Sequence, residues 1–192
     1  TFRETLEEKM MHTSRFSMGT DIADINNDGR MDIFVADMLP YKREVLQTAA
    51  GEEPFDIYHM KKNLGYNEQY SRNVLQLNRG DGYFSEVGQL LGIEASDWSW
   101  SPLFQDFDLD GWTDLFVSNG IYRRPNDLDF VNYISHEAIQ SKLRNDILKE
   151  EDMVLIDKMP QVPLNHRFFK NEGRLRFSDQ SDSWVADQPG FS

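Results

Sequence analysis

The sequence contains no cysteine. That excludes a disulfide framework, thiol catalysis and thiolate metal ligands, so the fold must be held by packing or by a metal bound through oxygen. Positive charge is also scarce: 20 Lys and Arg stand against 33 Asp and Glu, for a net charge of -13. Nucleic acid and anionic membrane surfaces are therefore disfavoured as partners. No apolar run approaches the length of a membrane span, and the first residues lack the charged and apolar regions of a signal peptide. The four histidines (His12, His59, His136 and His166) are scattered without ligand spacing. No Ser-His-Asp order, nucleophile elbow or phosphate-cradling glycine loop is visible. The sequence reads as that of a non-enzymatic protein with no catalytic residues, and its 192 residues are enough for one domain with a real core.

Carboxylates in a fixed spacing are what the chain does have. Asp106, Asp108, Asp110 and Asp114 occupy the first, third, fifth and ninth positions of a loop around Gly111, and Asp24, Asn26, Asp28 and Asp32 repeat the pattern around Gly29. Alternate side chains in a tight loop turn their oxygens inward, the glycine allows the reversal, and the seventh residue (Arg30 or Trp112) can add its carbonyl. Oxygen donors in that arrangement suit a hard cation, and Ca²⁺ is the expected ion, one per loop. An EF-hand or dockerin loop would need an oxygen ligand at position twelve, which is Val35 or Val117 here. The residues that follow, Ile33-Phe34-Val35-Ala36 and Leu115-Phe116-Val117-Ser118, are short β-prone runs. The loops join strands, not helices.

A longer repeat contains both loops. Phe2-Arg3-Glu4 recurs as Phe84-Ser85-Glu86 and Asp24 as Asp106; beyond them, Asn78 recurs as Asn171 and Gly80 as Gly173 at a wider offset. The change of offset implies an insertion that is longer in the second copy. Each copy predicts a four-stranded antiparallel propeller blade. Its first strand leads into the loop (Ser17 to Ala23; Ser99 to Gln105) and its second leaves it (Ile33 to Ala36; Leu115 to Ser118). The third follows the insertion (Val74 to Asn78; Arg167 to Lys170) and the fourth follows a turn (Tyr83 to Val87; Leu175 to Ser178).

The expected fold class is thus all-β: part of a β-propeller, about two four-stranded blades, with helical insertions. Repeat one covers about 2–83 with its insertion at 38–72, repeat two about 84–176 with a helical insertion at 120–165, and 177–192 begins a third. Two blades cannot close a ring, so the chain reads as a segment of a longer protein, or as one whose open edges are covered by partners. Within the insertions, Phe55 to Leu64 predicts a short helix ended by Gly65. Asn126 or Asp127 predicts the cap of a longer helix with an apolar face from Phe130 to Ile147, and Glu151 to Lys158 a short helix stopped by Pro160.

Arg79-Gly80-Asp81 has the form of an adhesion tripeptide, but its glycine and aspartate are accounted for as hairpin-turn residues. Trp98 aligns with Phe16 and Phe191, and Trp100 with Met18, which predicts repeated core positions for both; Trp112 and Trp184 have no assignment from the sequence.

The loops followed by Ile33-Phe34-Val35 and Leu115-Phe116-Val117 resemble the FG-GAP or VCBS repeats of integrin α-chain propellers. Asn73-Val74-Leu75-Gln76-Leu77-Asn78, Asp97-Trp98-Ser99-Trp100 and Ile156-Asp157-Lys158-Met159-Pro160 are similar to bacterial cartilage-acidic-protein-like, ASPIC/UnbV-associated surface proteins. The resemblance implies a Ca²⁺-stabilised propeller, extracellular or at the cell surface, that acts as a protein- or glycan-binding or scaffolding module. Its ligands would be Asp24, Asn26, Asp28, the Arg30 carbonyl and Asp32, and Asp106, Asp108, Asp110, the Trp112 carbonyl and Asp114. Asn26 departs from the pattern, so the first loop is expected to hold its ion more weakly. A structural subunit of an outer-membrane or secretion assembly and a Ca²⁺-dependent carbohydrate-active enzyme are the alternatives.

Overall fold

A computed structural model describes residues 2–49, 53–136, 154–184 and 189–190. In chain order the strands are β1 (His12–Ser14), β2 (Thr20–Ala23), β3 (Asp32–Val35), β4 (Met38–Leu39), β5 (Glu68–Tyr70), β6 (Val74–Asn78), β7 (Phe84–Glu86), β8 (Asp97–Gln105), β9 (Asp114–Asn119), β10 (Arg167–Asn171) and β11 (Phe177–Asp179). They form one antiparallel sheet in the order β2-β3-β6-β7 and a second in the order β11-β10-β9-β8-β4. The chain is mostly β, and its architecture is consistent with part of a β-propeller.

Each blade follows from local sequence. β3 and β9 carry the β-branched and aromatic runs that suit a central strand, and both are paired on two sides. The hairpin between β6 and β7 turns at Gly80 (φ 80°) and Gly82 (φ 84°), left-handed conformations that favour glycine. Pro102 lies in the part of β8 that pairs only with β9, where its missing N–H costs no ladder bond.

One apolar cluster spans both blades. Phe34, Leu75 and Ile25 of the first pack with Phe104, Leu115, Val117 and Phe169 of the second, and the Phe34 and Phe104 rings meet edge to face at 6.1 Å and 79°. The blades also approach backbone to backbone: a Cβ on Gly19 would lie 2.5 Å from the Trp100 carbonyl oxygen. A further link is polar, with the Phe104 N–H donating to Asp21 Oδ2 at 2.7 Å.

Several expectations change. β4, at the start of the first insertion, leaves its own blade and pairs with Trp98 and Asp97 on the edge of β8. β1 and β5 form a separate parallel pair that periodicity did not indicate. Phe2-Arg3-Glu4 repeats the sequence of β7 but forms no strand, because no described strand lies beside it; the helix Leu6–Lys9 does repeat the helix Gly88–Leu91. Trp98 and Trp100 are half-buried rather than core residues, and Phe16 is 43% exposed. Along β8 it is the alternate Asp97 and Ser99 that face fully inward.

The helix Phe55–Asn63 forms where expected and stops before Gly65, whose φ is 83°. Asp127 caps the helix Leu128–Ile134, accepting from the Phe130 N–H at 3.0 Å. That helix ends at Ile134, with Ser135 as its C-cap, short of the predicted extent to Ile147; the predicted residues from 137 onward lie outside the described residues. Of the short helix expected at Glu151 to Lys158, Val154–Asp157 is described and residues 151–153 are not.

Candidate metal centre

The two acidic loops connect β2 to β3 and β8 to β9, the same place in each blade. Their internal hydrogen bonds repeat residue by residue. Asp24 accepts from the N–H of Asp28 (3.1 Å) and Gly29 (2.7 Å), and Asp106 accepts from those of Asp110 (3.1 Å) and Gly111 (2.9 Å). The Arg30 N–H donates to Asp28 Oδ1 at 3.0 Å, and the Trp112 N–H to Asp110 Oδ1 at 2.9 Å.

The ninth-position carboxylates are fully buried and spend both oxygens on backbone amides. Asp32 accepts from Ile25 at 3.1 Å and Asn78 at 2.8 Å; Asp114 accepts from Phe107 at 3.0 Å and Asn171 at 2.8 Å. Each loop uses left-handed backbone twice, at Asn27 and Gly29 and at Leu109 and Gly111. The glycines were legible from the pattern. Leu109, with φ 61°, was not, since a branched side chain there is unfavourable.

In the second loop, carboxylate oxygens of Asp106, Asp108 and Asp114 converge within 4.8 Å of one another. Asp110 turns toward Lys170, whose ammonium donates to Asp110 Oδ2 at 2.7 Å and also contacts Asp108. In the first loop Asn26 Nδ2 donates to Asp28 Oδ2 at 2.9 Å, and the Arg30 guanidinium contacts Asp28 while its Nε donates to the Asn78 carbonyl at 3.1 Å. The first-loop acids are not drawn into an equally tight group, and the Trp112 ring packs against Gly173, where a Cβ would come within 2.9 Å of it.

Burial pushes the Asp32 and Asp114 carboxyls above their ordinary range; amide hydrogen bonds oppose the shift and neighbouring aspartates add to it. Lys170 acts in the other direction on Asp110, which it holds below that range, and is itself pushed up by Asp108 and Asp110. These residues fit a hard cation. Every side chain the spacing assigns as a ligand offers oxygen, two of the acids are buried at a cost that positive charge would offset, and each loop already draws a basic side chain onto its acids.

Sequence reasoning missed Lys170, Asn78 and Asn171. Lys170 carried no signal in the linear pattern. The two asparagines did align in the repeat, but as turn residues and not as groups that hold the loops.

Other chemistry-bearing residues serve the fold. His12 Nε2 lies 3.1 Å from Glu86 Oε2 and 3.1 Å from an Arg72 nitrogen, on a carboxylate that also accepts from the Gly88 N–H at 2.6 Å. His166 Nδ1 accepts from the Asn119 N–H at 3.0 Å. Gly80 and Asp81 are turn residues, with Asp81 accepting from the Tyr83 N–H at 3.1 Å. Trp184 packs with Phe107 and Phe168, its ring centroid 6.3 and 6.0 Å from theirs.

Residues 64–117 match the family model of the FG-GAP-like repeat. The match runs from β5 through β6, β7 and β8, takes in the whole second loop and ends in β9. Neither a curated protein nor a solved structure matches the chain. Sheet architecture and repeat match together support a propeller-type binding module. Among the described residues, no helix is long and apolar enough to cross a membrane.

Proposed function

We propose that this chain is a Ca²⁺-stabilised propeller module that works outside the cell or at its surface as a protein- or glycan-binding scaffold. The observation that carries the reading is the repetition of one hydrogen-bonding scheme in two acidic loops at the same place in each blade. Asp24, Asn26, Asp28, Asp32 and the Arg30 carbonyl would hold one ion, and Asp106, Asp108, Asp110, Asp114 and the Trp112 carbonyl a second. The ion supplies positive charge that offsets the repulsion and burial of the carboxylates, so binding is coupled to folding. The chain's own residues do the rest: the amides of Gly29 and Gly111 orient the first aspartate of each loop, and the buried Asp32 and Asp114 tie each loop to its blade.

An extracellular setting is favoured because loops of this kind suit millimolar Ca²⁺. The acidic surface suits a neutral or basic partner rather than a polyanion. Calorimetric titration with Ca²⁺, followed by thermal unfolding in Ca²⁺ and in EDTA, tests the reading. Two bound ions and a higher melting temperature in Ca²⁺ support it; no heat of binding and coincident unfolding curves overturn it.

A further inference from the structure

The loops belong to different blades, yet a continuous hydrogen-bonded path joins their buried carboxylates. Asp32 Oδ2, at the ninth position of the first loop, accepts from the Ile25 N–H at 3.1 Å. The carbonyl of that same Ile25 accepts from Asn171 Nδ2 at 2.7 Å. Asn171 then donates its own N–H to Asp114 Oδ1, at the ninth position of the second loop, at 2.8 Å. Two residues therefore span the distance between two candidate ligands.

Asn171 is fixed on every side. Its Nδ2 also donates to the Thr113 carbonyl at 3.0 Å, and its Oδ1 accepts from the Gly173 N–H at 3.0 Å. It is 1% exposed and Ile25 2%, so water does not compete for these bonds. A second link runs alongside at the surface, where Asn27 Nδ2 donates to the Gly111 carbonyl at 3.1 Å.

Asn78, the repeat counterpart, holds its own loop in the same way, with its N–H on Asp32 Oδ1 at 2.8 Å and its Nδ2 on the Met31 carbonyl at 3.2 Å. What Asn171 adds is the bond to Ile25, across the blade boundary. An alanine at that position would leave a buried carbonyl and its own blade's turn unsatisfied; the role needs a side chain with both a donor and an acceptor.

We propose that Asn171 is a positioning residue that couples the two acidic loops, so that cation uptake at one loop tightens uptake at the other. The inference rests on the Ca²⁺ reading above. Its physical basis is that the Asn171 side chain joins the carbonyls of the first loop's second residue and the second loop's eighth, while its backbone N–H holds the second loop's ninth. Ordering either loop therefore removes part of the cost of ordering the other.

The test is a double-mutant cycle on Ca²⁺ affinity, read by calorimetry. Asp110→Ala disables the second loop, and the remaining affinity then belongs to the first. The expected result is a first-loop affinity about fivefold or more below its value in the wild-type protein. In the Asn171→Leu background, which keeps the size and removes the Nδ2 donor without adding a charge beside Asp114, the same Asp110→Ala change is expected to leave first-loop affinity unaltered. Asn27→Gly, at an exposed position with φ 58°, cuts the parallel link without threatening the fold and should reduce the coupling in part. Two sites that titrate independently in the wild-type protein, with first-loop affinity indifferent to Asp110→Ala, would overturn the coupling and leave the Ca²⁺ reading intact. Absence of any Ca²⁺ uptake by the wild-type protein would overturn both.

Discussion

Lys170 lies across the second acidic loop, its ammonium on Asp108 and, at 2.7 Å, on Asp110 Oδ2; the repeat places Leu77 at the equivalent position of the first blade. The blades thus differ in where the counter-charge comes from. The first loop gives up one carboxylate at Asn26 and draws its own Arg30 onto Asp28, whereas the second keeps all four and receives its positive charge from another strand. Lys170→Met removes that charge and is expected to raise Ca²⁺ affinity at the second loop severalfold, since ligand charge tunes affinity in such sites. The same variant should unfold at a lower temperature than the wild type in EDTA, because the acids lose their internal counter-ion. Calorimetry and thermal unfolding in the two buffers check both halves; equal affinity in variant and wild type would show that the lysine swings clear at no cost.

Acid stability without metal has a defined sign at Asp114. Its folded value lies above the ordinary 3.8 because burial disfavours the carboxylate. The stability it contributes is therefore fully present below the unfolded value and is lost as pH rises through the folded one. In EDTA, the free energy of unfolding of the wild type relative to Asp114→Asn should fall as pH is raised from about 4 toward neutrality. Urea denaturation at a series of pH values measures it. A wild type that gains on the variant with rising pH would mean that the amides of Phe107 and Asn171 outweigh burial.

Those two residues and their partners also show what the sequence made legible. Acids at alternate positions around a glycine are a local signal, so Asp24 to Asp32 and Asp106 to Asp114 could be read together with the strands that flank them. The partners of those acids were not readable in that way, because Lys170 and Asn171 reach the second loop from another strand, across the long insertion, and nothing in a linear pattern states which strands become neighbours. The same limit applies to β4, whose Met38 and Leu39 bond across to Trp98 and Asp97. Trp98 misled for another reason: aromatic repetition indicated a core, but the pleat of β8 turns Asp97 and Ser99 inward and leaves the indole half-buried. Asp127 succeeded as a cap because a cap needs only the three residues that follow it.

Asp37 is expected to be among the least replaceable residues of the first blade. It is fully buried, and its Oδ2 accepts from the Ser14 hydroxyl (2.6 Å), the Arg15 N–H (2.9 Å) and the Phe16 N–H (2.8 Å), while Oδ1 accepts from the Met38 N–H at 2.5 Å. Asp37→Ala strands these donors at once and should cost about 3 kcal/mol or more, with the Ca²⁺-induced shift in melting temperature preserved if the variant folds. Chemical denaturation gives the loss; a cost below about 1 kcal/mol would mean that water reaches the freed amides.

The contact between blades can be probed without touching any charge. Gly19 has ordinary backbone, but its Cβ would fall 2.5 Å from the Trp100 carbonyl and 2.7 Å from Pro102. Gly19→Ala should therefore cost about 1–3 kcal/mol through forced separation of the sheets. Gly29→Ala makes the control: a Cβ there meets nothing within 4 Å, and the penalty comes only from φ 83°. Chemical shifts of Phe34 and Phe104, the ring pair between the blades, should move in the first variant and stay in the second.

Arg124 and Asp97 form a buried ion pair at 2.5 Å, each side chain almost wholly removed from water. Asp97 also holds a left-handed backbone with φ 73°, and the Arg124 guanidinium lies 5.9 Å from the Trp98 ring. Such a pair contributes little net stability once desolvation is counted, yet breaking it from one side leaves an uncompensated charge. Arg124→Met is thus expected to cost about 3–5 kcal/mol. Asp97→Asn, which tolerates the same backbone, should restore a large part of that loss when combined with it, because the two changes remove the charges together. The sign of the coupling measured in the cycle of wild type, two single variants and the double variant is the test. Losses that simply add would show that Arg124 acts through its packing and that the charge of Asp97 is met by other groups; the backbone N–H of residue 124 on the Pro160 carbonyl, at 2.9 Å, is kept in every variant.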